Sequence, residues 1–140
     1  MFKQGPVPAF VHGLVEYAAG ILLIAAPFVF SFEEDAATAA SVVAGVLVLI
    51  VAASTAMSTG LIKSIPVPAH VMLDYVLAIA LIAAPFVIGF SDDGAATAFF
   101  IVLGVVHLLL TIATRFIRDE SATRRRRTEP AAKRGGNSTP

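Results

Sequence analysis

Two pairs of chemically reactive side chains recur with the same spacing in this 140-residue chain. His12 precedes Glu16 by four residues, and His70 precedes Asp74 by four residues. Because residues four apart share one face of an α-helix, each pair would place an imidazole next to a carboxylate. Such groups can relay protons or bind a divalent ion such as zinc or manganese. A third histidine, His107, is a candidate to join them from another segment.

The two pairs belong to an internal duplication that covers most of the chain. Three further segments recur 58 to 60 residues apart, namely LIAAPFV at 23–29 and 81–87, PVPA at 6–9 and 66–69, and AATA at 36–39 and 95–98. The offset changes only where helix starts and loops are expected. The repeated unit is therefore predicted to be a pair of helices joined by a turn.

Composition places these helices in a membrane. Hydrophobic residues make up 57% of the chain and charged residues 14%, whereas soluble domains carry roughly 25% charged residues. Four segments have the length of about 20 residues that a bilayer requires, and we place them at 10–32, 36–58, 68–90 and 95–116. The predicted fold is all-α, a four-transmembrane-helix bundle built from two parallel tandem two-helix repeats.

The domain organisation follows from these spans. Residues 1–9 are predicted to lead into the first repeat at 10–58, a linker at 59–67 connects it to the second repeat at 68–117, and residues 118–140 form a tail. The tail is polar and rich in arginine, a composition that predicts disorder. We expect Arg124, Arg125, Arg126 and Arg127 to contact anionic lipid headgroups. Nucleic acid is not an expected partner, because no aromatic platform accompanies the arginines.

Charge in the loops predicts the orientation. Lys3, Lys63 and the arginines after the fourth span lie on one side, whereas the other two loops carry only the acids at 33–35 and 92–93. Basic residues near span ends are retained in the cytoplasm. Both termini are therefore expected to be cytoplasmic, and the lipid bilayer is the main expected partner. Homo-oligomerisation stays open.

Two prolines lie inside predicted spans. Pro27 and Pro85 each remove one helix hydrogen bond and leave the carbonyl of Leu23 or Leu81 without its usual donor. Both prolines are predicted to kink their helices, either as a fixed bend or as a hinge. Because lipid cannot satisfy a freed carbonyl, a neighbouring helix, a hydroxyl or a water is expected to do so.

On these residues the chain resembles the SPW repeat family, small bacterial membrane proteins with duplicated two-span units named for a Ser-Pro-Trp motif. The resemblance covers roughly residues 12–54 and 70–114, and it includes the LIAAPFV segments and the following helices with Gly45 or Gly104. The triplets here read Ala26-Pro27-Phe28 and Ala84-Pro85-Phe86, so proline matches while serine and tryptophan do not. The resemblance implies a multi-pass protein of the bacterial plasma membrane and carries no biochemical activity.

The polar residues allow two interpretations. Glu16 and Asp74 lie about 24 Å inward from the outer boundary, near the cytoplasmic edge of the bilayer. The interpretation favoured by sequence is a helix-start arrangement, with each acid favoured by the helix dipole and partnered by the histidine one turn below. In the alternative, both acids and both histidines meet at the axis between the first and third spans, joined by His107. A lone histidine such as His107 is otherwise expected to bond a neighbouring carbonyl or hydroxyl, and Thr111 lies one turn away.

No enzyme signature is present, since the chain lacks a phosphate-binding glycine loop, a nucleophile elbow and an HExxH motif. The absence of cysteine excludes thiol chemistry. We therefore expect a non-enzymatic structural or interaction protein, with a small proton or divalent-ion pathway through the repeated pairs as the alternative. Sequence alone assigns no metal ligand and no cofactor.

Overall fold

A computed structural model describes residues 5–116, in which four helices are long and apolar enough to cross a membrane. Helix α1 spans Ala9–Val29, α2 spans Asp35–Ser54, α3 spans Val67–Ala84 and α4 spans Gly94–Ala113. Two short strands, β1 at Val7–Pro8 and β2 at Thr114–Arg115, flank the helices at the two ends of the described chain. The predicted all-α four-helix architecture is confirmed.

The first, second and fourth helices end three or four residues before the predicted spans do, because turns start earlier than hydropathy indicates. After α1 the chain reverses through Ser31, which adopts a positive φ of 52°. Pro8 and Pro66 precede α1 and α3 in extended conformation. The missing N–H of a proline costs nothing at a helix start.

The two prolines inside the spans lie near helix ends and behave differently. Pro27 lies in the last turn of α1, whereas Pro85 begins a π-helical turn, Pro85–Gly89, that completes the third span. The freed carbonyl of Leu23 accepts a 2.6 Å hydrogen bond from the Ser41 hydroxyl on α2. A hydroxyl from a neighbouring helix is thus the donor, among the three that the proline left open. The equivalent position in the second repeat is Phe100, which has no hydroxyl.

Equivalent contacts relate the two repeats. At one end of the bundle, β1 pairs in parallel with β2, Val7 opposite Thr114, and the corresponding bridge joins Thr55 to Ile65 in parallel. We call this end, which carries Lys63 and Arg115, the basic end. The opposite end holds both short turns with Glu33, Glu34, Asp92 and Asp93, and we call it the acidic end.

The apolar core lies between these ends. Leu23 and Leu81 occupy equivalent positions in it, and the rings of Phe90 and Phe100 pack against each other with centroids 5.0 Å apart. Small residues let the helices of one repeat approach closely, because a Cβ on Gly45 would lie 2.6 Å from the carbonyl oxygen of Gly20. Large apolar side chains cover much of the outer surface instead, for example Phe28, Val87 and Met72. A bilayer is the solvent that suits such a surface.

Candidate functional site

Four ionisable side chains from two helices meet near the basic end. His12 and Glu16 lie one turn apart on α1, and His70 and Asp74 lie one turn apart on α3. Each of the four is at most 2% exposed. One ligand atom from each lies within 4.8 Å of the others. We call these four residues the polar cluster.

The shortest contacts in the polar cluster run between the repeats. His12 Nε2 lies 3.2 Å from Asp74 Oδ2, and His70 Nε2 lies 3.2 Å from Glu16 Oε2. The contacts within each helix are longer, 3.7 Å for His12 to Glu16 and 3.4 Å for His70 to Asp74. The two pairs therefore meet between α1 and α3, as in the alternative interpretation, while each acid also keeps its contact with the histidine of its own helix.

The tautomer of both histidines follows from two threonines. His12 Nδ1 lies 2.9 Å from Thr114 Oγ1, and His70 Nδ1 lies 2.8 Å from Thr55 Oγ1. Each threonine hydroxyl already donates its only hydrogen to a backbone carbonyl 2.6 Å away, that of Leu110 or Val51. Each oxygen can thus only accept from the imidazole. Both Nδ1 atoms must carry the proton, and in the neutral rings both Nε2 lone pairs face the polar cluster.

The groups that face inward lack hydrogen-bond partners. Among residues 5–116, no partner meets hydrogen-bond geometry for His12 Nε2, His70 Nε2, Glu16 Oε2 or Asp74 Oδ2. The nitrogen–oxygen separations are short, but with the ring proton on Nδ1 a lone pair of Nε2 faces a carboxylate oxygen and no hydrogen lies between them. Buried polar atoms are normally paired, and a set of unpaired atoms that share one space calls for an ion, a water or a functional role.

His107 extends the cluster from α4. Its Nε2 atom lies 3.8 Å from Asp74 Oδ1, and its ring centroid is 6.2 Å from that of His12. The expected bond to Thr111 takes another form, because the Thr111 hydroxyl donates to the backbone carbonyl of His107. His107 Nε2 also lacks a partner within the described chain. The position equivalent to His107 in the first repeat is Val48, so this histidine breaks the symmetry of the site.

The electrostatics of the site demand positive charge. Two carboxylates buried next to each other within a membrane protein are costly unless they are neutralised. No lysine or arginine among residues 5–116 makes a salt bridge to either acid. Protons on the imidazoles or a single divalent cation would balance the two negative charges.

The walls of the site differ on its two sides. Toward the basic end, the ring of Phe116 packs against His12 with centroids 4.9 Å apart and against His70 at 6.4 Å. Toward the acidic end the buried interior becomes apolar with Leu23, Leu81 and Phe100. The polar cluster is therefore buried at one end of the bundle, between an aromatic ring and an apolar interior.

A comparison with protein families identifies the architecture. Residues 10–114 match the model of the SPW repeat domain. The chain belongs to the SPW repeat family. No curated protein and no solved structure gives a significant match. The expected membership is confirmed, and this SPW repeat protein is a multi-pass membrane protein.

The named triplet of the family lies away from the polar cluster. In this SPW repeat protein, Pro27 and Pro85 are buried close to the acidic end, whereas the cluster lies in the first two turns of α1 and α3. The triplet prolines thus shape the helix ends, and the ionisable groups form a separate feature. Arg124, Arg125, Arg126 and Arg127 lie outside the described residues, and their contact with lipid stays a prediction.

Sequence reasoning missed three contributors to the site. Thr55 and Thr114 orient the histidines, and Phe116 covers them. The available signal was the repeat itself, since Thr55 and Thr114 are 59 residues apart, as are the AATA segments of the second and fourth helices. Two threonines at equivalent helix ends are a duplicated polar feature of the same kind as the duplicated histidines.

Proposed function

We propose that this SPW repeat protein binds one divalent transition-metal ion, with His12, Glu16, His70 and Asp74 as ligands. The observation that supports the proposal is that four possible metal-ligand atoms, none of which has a hydrogen-bond partner among the described residues, converge in one buried space. The outward Nδ1 protons of both histidines are held by threonine hydroxyls. Metal-binding histidines typically donate their second N–H in this way, which fixes the ring and leaves the other nitrogen free for the ion.

The distances suit such an ion. A tetrahedral zinc ion with bonds of about 2.0 to 2.2 Å holds its ligand atoms roughly 3.3 to 3.6 Å apart. The four histidine–carboxylate separations of the polar cluster run from 3.2 to 3.7 Å. These separations use both oxygens of each carboxylate. With one ligand atom per residue, the four atoms lie within 4.8 Å of one another, so side-chain rotations would shorten the longest separations to complete the coordination.

The chemistry of the donors selects the class of metal. Two neutral imidazoles and two carboxylates carry a total charge that a divalent cation neutralises. Mixed nitrogen and oxygen ligands favour zinc, manganese or iron(II) over calcium and magnesium, which prefer oxygen alone. The site has no thiolate, because the chain has no cysteine. His107, 3.8 Å from Asp74, is placed to act as a further ligand.

We favour binding over conduction. The interior between His107 and the acidic end is lined by Leu23, Leu81 and Phe100, and the Ser41 hydroxyl there is engaged by Leu23. An ion crossing this layer would meet no free polar group among the described side chains. Because each repeat supplies two ligands, the ion would instead fasten the two repeats together, which is a structural role.

Metal binding by the full-length protein in detergent tests the proposal. Protein stripped with a chelator would be titrated with zinc, manganese and magnesium ions, and bound metal would be counted by mass spectrometry. We expect one zinc or manganese ion per chain. The Glu16→Gln plus Asp74→Asn variant should lose this ion, and the matched variant Glu33→Gln plus Asp92→Asn, which alters exposed acids, should keep it. Folded wild-type protein that binds no metal would contradict the proposal.

A vesicle assay separates binding from a pathway. We expect reconstituted protein to leave proton and metal gradients intact. Flux that the Glu16→Gln plus Asp74→Asn variant abolishes would instead establish the pathway.

We infer further that the basic end faces the cytoplasm of a bacterial cell. Lys63 and Arg115 lie at this end, whereas the charged residues in the turns of the other end are all acidic. Basic residues near span ends are retained in the cytoplasm. Reporter fusions in the two acidic turns should report the outer side. A cytoplasmic signal from Glu34 or Asp92 would overturn this orientation.

A further inference from the structure

Backbone hydrogen bonds hold residues 61–65 of the connection between α2 and α3 against the end of α2. We call Leu61, Ile62 and Lys63 the tip. The backbone N–H groups of Leu61 and Ile62 both donate to the carbonyl of Ala53, at 2.7 and 3.0 Å. The N–H groups of Ser64 and Ile65 both donate to the carbonyl of Ser54 at 2.8 Å. Because Ala53 and Ser54 form the last turn of α2, residues 61–65 are held at the level of that turn.

Local backbone chemistry supports this shape. Gly60 approaches the carbonyl of Thr55 so closely that no side chain could replace its hydrogen, since a Cβ would lie 1.7 Å from the oxygen. Lys63 adopts a φ of 55°, which is uncommon for a residue other than glycine. The conformation of the chain at these positions is therefore specified by the backbone requirements of Gly60 and Lys63.

The tip presents apolar side chains outward. Leu61 is 80% exposed and Ile62 is 70% exposed, although both belong to a segment anchored by its backbone. Lys63 is exposed beside them. Two aliphatic side chains next to one cation at the end of a membrane bundle match the composition of segments that lie in the bilayer interface.

We propose that the tip formed by Leu61, Ile62 and Lys63 is a lipid anchor. Leu61 and Ile62 insert at the boundary between headgroups and acyl chains, and Lys63 pairs with the phosphate of an anionic lipid. A lysine beside the bilayer favours anionic lipid by about fivefold. The inference is independent of metal binding, because none of the three residues belongs to the polar cluster.

Site-directed labelling of the full-length protein tests the anchor, and the natural chain has no cysteine to interfere. A fluorophore would be attached to Ile62→Cys and, as the matched control, to Ser58→Cys, which is exposed in the same connection. Both proteins would be placed in nanodiscs with a quencher either on the lipid chains or in the water. We expect the lipid quencher to act several-fold more strongly on position 62 than on position 58, and the aqueous quencher to show the reverse.

Lys63 is tested by its own variant. Replacing half of the zwitterionic lipid by phosphatidylglycerol should increase lipid quenching at position 62, and Lys63→Gln should abolish that increase. Equal aqueous quenching at positions 58 and 62 would overturn the anchor. Protection of position 62 from both quenchers would also overturn it, because it would indicate that a second copy of the chain covers the tip.

Discussion

His12 and Thr114 lie 102 residues apart and are joined by a buried hydrogen bond of 2.9 Å from imidazole Nδ1 to the threonine hydroxyl oxygen. The same relationship joins His70 to Thr55 at 2.8 Å. In both cases the histidine belongs to one repeat and the threonine to the other. Each repeat therefore sets the orientation of an imidazole that the other repeat contributes.

The two threonines should tune metal affinity without binding metal. Replacing both by valine, Thr55→Val plus Thr114→Val, removes the acceptors that hold the Nδ1 protons. We expect zinc affinity to fall by about 10 to 100-fold, the usual effect of losing groups that orient metal ligands. Competition with a zinc chelator measures this change. Thr97→Val is the matched control, because the Thr97 hydroxyl lies at the acidic end beside the Phe90 carbonyl. Unchanged affinity in the double variant would contradict the orienting role.

Ser41 should stabilise the first repeat. Its hydroxyl satisfies the Leu23 carbonyl that Pro27 leaves free, so Ser41→Ala would strand a buried acceptor. We expect a loss of about 1 to 2 kcal/mol in the free energy of unfolding, measured by denaturation in detergent. Ser58→Ala, at an exposed position, should have no comparable effect. Equal stability of the two variants would show that a water can replace the hydroxyl.

Gly45 should tolerate no side chain. A Cβ there would lie 2.6 Å from the Gly20 carbonyl oxygen and 2.7 Å from Ile24 Cγ1, so α1 and α2 would have to separate. Gly45→Ala should lower the free energy of unfolding by about 1 to 3 kcal/mol. Gly94→Ala provides the control, because a Cβ there meets nothing within 4 Å. A thermal shift of equal size in both variants would argue against the close helix contact.

Asp93 should make stability depend on pH at the acidic end. Burial alone would raise the pKa of its carboxyl, but backbone N–H donors from Ala96, Glu34 and Glu33 outweigh burial and hold the pKa below the ordinary 3.8. A folded pKa below the unfolded one means that the stabilisation is complete above the unfolded value and is lost as the pH falls through the folded value.

The difference between wild type and Asp93→Asn isolates this contribution. Wild type should be the more stable protein at pH 6 to 7, and the gap should close as the pH falls below about 4. Unfolding in detergent at several pH values measures it. The exposed Asp92→Asn variant is the control, and a gap independent of pH would show that the charge of Asp93 does not matter.

The helices and the repeat were predictable because both are local properties of the chain. Hydropathy locates four spans, and the offsets of 58 to 60 residues reveal the duplication without any knowledge of packing. Helix ends were less predictable, since the turn at Ser31 depends on a positive φ that no sequence motif predicts. Proline chemistry predicted that the Leu23 carbonyl would need another donor, but only packing decided that the Ser41 hydroxyl supplies it.

Sequence by itself determined which residues could form the polar cluster, because a spacing of four and a repeat of 58 place His12, Glu16, His70 and Asp74 on two equivalent helix faces. It did not determine that these faces meet. The helix-start interpretation and the convergent one use the same residues, and the difference between them is the rotation of α1 about its axis relative to α3. Only the tertiary structure fixed that rotation, by packing the end of each repeat against the start of the other, so that Thr114 and Thr55 turn both imidazoles toward one space.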